Sequence, residues 1–171
     1  MTQPATPAPT SLDRFNAAED GELDALLLEI CSSPTWAKLV RLSRPFRDRV
    51  AFHSANANAM AALGAGDLHD AMAGHARIGT PKQGDATSER EQAGVQGAQQ
   101  ELLDSLAAAN ASYEEKFGHV FLICATGRTA ETMLAALGER FPNDPDTERE
   151  IVRGELGKIN DIRIDRLLDE S

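Results

Sequence analysis

Wound at about 100° per residue, Val152, Leu156, Ile159, Arg163 and Leu167 fall in one narrow sector, so the C-terminal stretch reads as an amphipathic helix. An arginine stands in the middle of its apolar face. A guanidinium cannot be buried without a counter-charge, so Arg163 requires either a carboxylate from elsewhere in the chain or an anionic ligand. Any fold open to this chain has to bring one or the other to that stripe.

Helical spacing recurs through the rest of the sequence. Asn16 is placed to cap a helix with Glu19, Asp20 and Glu22 in its early turns and Leu23, Leu26, Leu27 and Ile30 on its buried side. Pro34 starts a second, carrying Trp36 as a core anchor, and Pro45 should end it. A third reading covers residues 46–63, with Val50, Phe52 and Met60. Leu68, Ala71 and Met72 form a short helix that delivers Gly74 and His75. The longest periodic segment, residues 88–116, places Glu91, Val95, Ala98, Leu102, Ala109 and Tyr113 on one face, and Phe117-Gly118 ends it. Residues 119–125 are a buried apolar run, either extended chain or irregular loop. Thr126 to Thr129 restart a helix through Met133, Leu134 and Leu137, and Pro145 opens the last one. The expected fold is all-α: a single-domain compact helical bundle of about eight helices over residues 12–171, after a disordered tail, residues 1–11, of mostly Pro, Ala and Thr.

Charge and hydropathy narrow the function classes. With 27 acidic against 17 basic residues, a net charge of -10 argues against nucleic acid as a partner. No apolar run is long enough to span a membrane, and no basic-then-apolar leader opens the chain, so a cytoplasmic location is expected. Cys31 and Cys124 are far apart and sit in apolar segments, as core hydrophobes do.

Candidate chemistry centres on residues 74–92, where glycines flank His75 and a polar loop leads to Ser88-Glu89-Arg90-Glu91-Gln92. His75 is placed to exchange protons in a pocket; an ordinary hydrogen-bonded loop histidine is the commoner alternative. Ser88-x-x-Glu91 matches a capping box, yet Glu91 also heads the inward stripe. Gln92 could present its amide to a polar ligand. The four histidines show no metal-binding spacing, and no phosphate loop or nucleophile motif is present. Cofactor-free acid–base chemistry on a small anionic substrate remains, or no chemistry.

In their order and spacing, Phe15-Asn16, His75-Ala76-Arg77-Ile78-Gly79, Ser88-x-x-Glu91-Gln92, Phe117-Gly118 with the run from Phe121 to Arg128, and Glu155-Leu156 through Arg166-Leu167 resemble the 2-oxo-4-hydroxy-4-carboxy-5-ureidoimidazoline (OHCU) decarboxylases of urate breakdown. The resemblance implies an all-helical enzyme, usually dimeric, that needs no cofactor or metal and converts OHCU to (S)-allantoin. By the same resemblance His75 is the catalytic histidine, and Glu91 is expected to hold it or act beside it as the second catalytic residue. Ala76, Ser88, Glu91, Gln92, Arg163 and the segment Phe121, Leu122, Ile123, Cys124 and Ala125 contact the small-molecule substrate. Where the family has proline after the histidine, this chain has Ala76. Two alternatives are kept: a decarboxylase of a related ureido or imidazoline acid, and a non-catalytic helical interaction module.

Overall fold

The structure, a computed structural model, describes residues 8–170. The tail expected over residues 1–11 falls mainly on residues 1–7, outside that range. Among the described residues there are nine α-helices and no strand: α1 Ser11–Ala17, α2 Asp20–Ile30, α3 Pro34–Leu42, α4 Arg49–Ala62, α5 Ala65–Ala73, α6 Ala86–Glu91, α7 Gln100–Phe117, α8 Ala130–Arg140 and α9 Pro145–Glu170. The all-α expectation holds.

α9 begins where the sequence directs it to. The Asp144 carboxylate accepts from the amides of Asp146 (3.1 Å) and Thr147 (3.0 Å), and Pro145, with no N–H to leave unbonded, takes the first position. α9 then packs on α1, α2, α4 and α5. Around it lies the first apolar cluster, built on Leu23, Leu27, Trp36, Phe52 and Leu156. Trp36 is wholly buried and donates its indole N–H to Asn56 at 2.9 Å, as a core anchor should. A second, smaller cluster fills the angle between α7 and α8 with Leu106, Tyr113, Met133 and Leu137, joined by Ile78 and Val95.

Residues 120–125 run between these clusters without helix, turn or strand partner. Phe121, Ile123 and Ala125 are buried in the second cluster, whereas Leu122 is buried in the first and Cys124 packs against it. A period of two is the signature of extended chain, which decides between the two readings of this run.

Several expectations need correction. Asn16 does not cap the helix of Leu23 to Ile30: it lies inside α1, α2 follows Glu19 with no side-chain cap, and the Asn16 amide bonds both the carbonyl and the N–H of Phe46 at 2.8 Å. That clamp keeps Phe46 out of α4, stacked on Phe52 with ring centroids 4.4 Å apart, and the helix, capped by Asp48, starts at Arg49, three residues later than expected. The single helix expected over residues 88–116 is two, separated by a 3₁₀ turn at Ala93–Val95. Glycines cause the break: Gly97 has φ +77°, and Gly94 packs so closely that a Cβ would stand 1.7 Å from the Arg128 carbonyl oxygen. Ala98 consequently falls outside any helix, and α7 buries Leu106, Asn110 and Tyr113. Ile164, although off the apolar stripe of α9, is completely buried in the first cluster, against which Leu168 also packs. Among the described residues no helix is long and apolar enough to cross a membrane.

The Gly94 contact generates a prediction. Gly94→Ala should cost about 3 kcal/mol, since backbone rather than a flexible side chain would have to move. Urea unfolding of the two proteins measures it.

Candidate active site

α5 ends at Ala73 and hands the chain to His75, whose own amide donates to the Met72 carbonyl at 3.0 Å. The next residues are held by side chains rather than by a ladder. Gln92 accepts the Gly79 amide with Oε1 and donates Nε2 to the Arg77 carbonyl, both at 3.0 Å. The buried Asn110 donates to the Ile78 carbonyl at 2.7 Å, and Arg77 forms a two-bond pair with Glu114 at 2.5 and 2.6 Å. Gln92 therefore commits half of its amide to the loop that carries His75, leaving one N–H and one lone pair toward a ligand.

The capping-box reading of Ser88 and Glu91 fails. Asp85 caps α6, accepting the Thr87 amide at 3.0 Å, so Ser88 lies inside the helix with its hydroxyl 3.3 Å from the Lys82 and Asp85 carbonyls. Glu91 is free to face inward, and it meets Arg163. Arg163 Nε donates to Glu91 Oε1 at 2.6 Å, Nη2 to Oε2 at 3.1 Å, and Nη1 to the Ile30 carbonyl at 2.9 Å. The counter-charge required by the α9 stripe is thus supplied within the chain, between side chains only 12% and 11% exposed. Glu91 makes no hydrogen bond to His75.

These parts meet in one pocket. His75, Ala76, Ser88, Glu91, Gln92, Phe121, Leu122, Ile123, Ala125 and Arg163 all line it, and Cys124 does not: it packs against the first cluster. Gly74, Ile78, Thr126, Ile159 and Ile162 also line it and were not assigned to the site from the sequence. Ile159 and Ile162 were legible in principle, since they lie within a turn of Arg163 on α9. Behind the wall, Arg140 and Glu155 bond the backbone of Leu122 and Cys124; nothing marked Arg140, and Glu155 opened a family-like motif without a role.

His75, Glu91 and Arg163 are the ionisable residues of the lining. The imidazole makes no hydrogen bond among the described residues. Burial, reinforced by Arg163 and opposed by Glu91, pushes its pKa from 6.5 down to about 4. At neutral pH the pocket therefore holds an uncharged imidazole with an available nitrogen lone pair, beside an ion pair that cancels itself.

A family model described as OHCU decarboxylase matches residues 16–165. The uric acid degradation bifunctional protein TTL of Arabidopsis thaliana is 31% identical over 147 residues, which is 82% of this chain and 45% of that protein. The 2-oxo-4-hydroxy-4-carboxy-5-ureidoimidazoline decarboxylase of Amia calva is 36% identical over 89 residues, 49% of this chain and 48% of that protein. The chain spans under half the length of these relatives. A crystal structure of OHCU decarboxylase in the presence of (S)-allantoin is similar throughout, with a TM-score of 0.73, 31% identity, and coverage of 89% of this chain and 99% of that one.

Two outcomes follow from the geometry. Arg163→Met should destabilise the protein by about 3 kcal/mol, because Glu91 is left nearly buried and unpaired, and adding Glu91→Leu should return most of the loss in urea unfolding. The depressed pKa of His75 makes stability depend on pH. Its contribution is whole above about pH 6.5, where the ring is neutral folded or unfolded, and disappears as pH falls toward about 4, because the unfolded chain binds the proton first. NMR titration of the imidazole, and a His75→Gln variant with a flatter acid limb of stability, check the sign.

Proposed function

The chain belongs to the OHCU decarboxylase family, and from that premise we propose that it converts OHCU to (S)-allantoin and CO2 by acid–base chemistry alone. The observation that carries the reading is the unbonded, neutral imidazole of His75 facing a pocket whose other ionisable groups are the Glu91–Arg163 pair.

OHCU bears a carboxylate and a hydroxyl on one ring carbon, next to a ring carbon doubly bonded to nitrogen. Breaking the bond to the carboxylate sends its electron pair into a new C=C bond, while the C=N electrons go to nitrogen, which takes a proton. The substrate is its own electron sink, so no pyridoxal or thiamine is called for. The hydroxyl then becomes a carbonyl as the neighbouring carbon is protonated, and one solvent proton is consumed overall. In this scheme neutral His75 accepts the hydroxyl proton, and delivery to one face of the carbon fixes the S configuration.

Arg163 has two N–H groups beyond its three bonds, enough to hold the scissile carboxylate without leaving Glu91. A substrate that did draw the guanidinium away would expose His75 to the Glu91 charge and raise the imidazole's proton affinity at the moment it is needed. Ser88, Gln92 and the wall from Phe121 to Ala125 are assigned the ring and ureido amides. Cys124 drops out of that set, because it lies outside the lining with its amide committed to Glu155. Ala76, where the family has proline, widens the choice of substrate, and a related ureido or imidazoline acid is the second reading; turnover of a panel of such acids separates the two. Work as a homodimer in the cytoplasm without cofactor belongs to the same proposal and rests on the family resemblance.

Freshly generated OHCU, followed by circular dichroism, provides the test. The parent should form optically active (S)-allantoin, and His75→Ala should lower kcat/KM by about 10² to 10⁴. Racemic product at the spontaneous rate would defeat the assignment. The pH profile decides the role of the imidazole: a base needs the neutral ring, so kcat/KM should stay level from neutral pH downward and drop only on approaching about pH 4. A general acid would show the reverse limb.

A further inference from the structure

The extended run at residues 121–125 has no neighbouring strand, so its polar groups are met by side chains or by nothing. Arg140 Nη1 donates to the Leu122 carbonyl at 2.8 Å, and Glu155 Oε2 accepts the Cys124 amide at 3.0 Å. In extended chain the polar groups of alternate residues share an edge, so both clamps grip the same one. The opposite edge belongs to Phe121, Ile123 and Ala125. Ile123 lines the pocket, and neither its N–H nor its C=O has a hydrogen-bond partner among the described residues.

The two clamps differ in setting. Arg140 is locked into the second cluster: it bonds Glu148 at 2.8 and 2.5 Å, lies 4.5 Å from the Phe121 ring centre, and shares Glu148 with the Tyr113 hydroxyl. Among the described residues Glu155 has only the Cys124 amide and the exposed Lys158, at 3.2 Å. It does not line the pocket.

We propose that Glu155 is a positioning residue: by holding the Cys124 amide, with Arg140 on the Leu122 carbonyl, it keeps the free N–H and C=O of Ile123 aimed at the pocket. That donor–acceptor pair matches a ureido group or ring amide, which offers the complementary acceptor and donor. The inference rests on the reading of the pocket as an OHCU site and adds how its wall is held.

Glu155→Leu removes the acceptor while keeping bulk; Glu155→Gln keeps an oxygen for the Cys124 amide. Loss of the charge-assisted bond should raise KM for OHCU and the Kd of (S)-allantoin, measured by calorimetry, about tenfold in the Leu variant, with kcat changed much less. The Gln variant should stay within about threefold of the parent, and Lys158→Ala should match it. In the unmutated protein, saturating (S)-allantoin should slow hydrogen exchange of the Ile123 amide more than that of Cys124, which is already bonded. Unchanged KM and Kd in the Leu variant with only a lower Tm, or no protection of Ile123, overturns the inference while the enzymatic reading stands. A parent that neither binds (S)-allantoin nor turns over OHCU takes both down together.

Discussion

A guanidinium in the apolar face of the last helix has to be neutralised, and the rest of the protein is arranged around that demand. Glu91 answers it from α6, and the Ile30 carbonyl answers it from the end of α2, so one side chain joins three elements far apart in sequence. In a folded chain such a pair does not by itself add much stability, because desolvation offsets most of the Coulombic gain. What it supplies is placement. It draws Glu91 inward beside His75 and leaves the pocket electrically balanced, a setting in which burial keeps the imidazole uncharged.

The remainder of the pocket shows the same economy of backbone pairing. Its loop and its wall are both irregular by the standards of helices and sheets, and each is tied down by polar side chains from neighbouring helices: Gln92, Asn110 and Glu114 for the loop, Arg140 and Glu155 for the wall. Irregular backbone is where a ligand finds unspent N–H and C=O groups, and rigid helices around it keep those groups still.

Much of this was legible in the residues. Apolar spacing disclosed the helices of the first cluster and the long α9, Pro34 and Pro145 marked two helix starts, and Gly118 marked a helix end with φ +78°. The misplaced boundaries have local causes. Asn16 looks like a cap because asparagine caps often, yet its amide is used across the structure on Phe46. The stripe from Glu91 to Tyr113 keeps helical spacing through a break that a backbone contact with Arg128 imposes, and no periodicity can register a contact 34 residues away. At the site, the presence of the polar residues could be read, but not their pairings. Whether Glu91 served as a cap or as a partner for Arg163 depended on Asp85 taking the cap first.

The apolar run between the two clusters carries one more consequence, for insertions and deletions. Its side chains alternate between two separate cores, so parity along residues 120–125 is fixed from both sides at once. Removing or adding a single residue there would exchange every side chain between a large core and a small one and turn the clamped edge into the pocket. The polar loop between Thr80 and Asp85 has no such parity to protect. In this chain an insertion or deletion is therefore expected to be tolerated in the connections outside the wall, and within the wall only substitution keeps both cores filled.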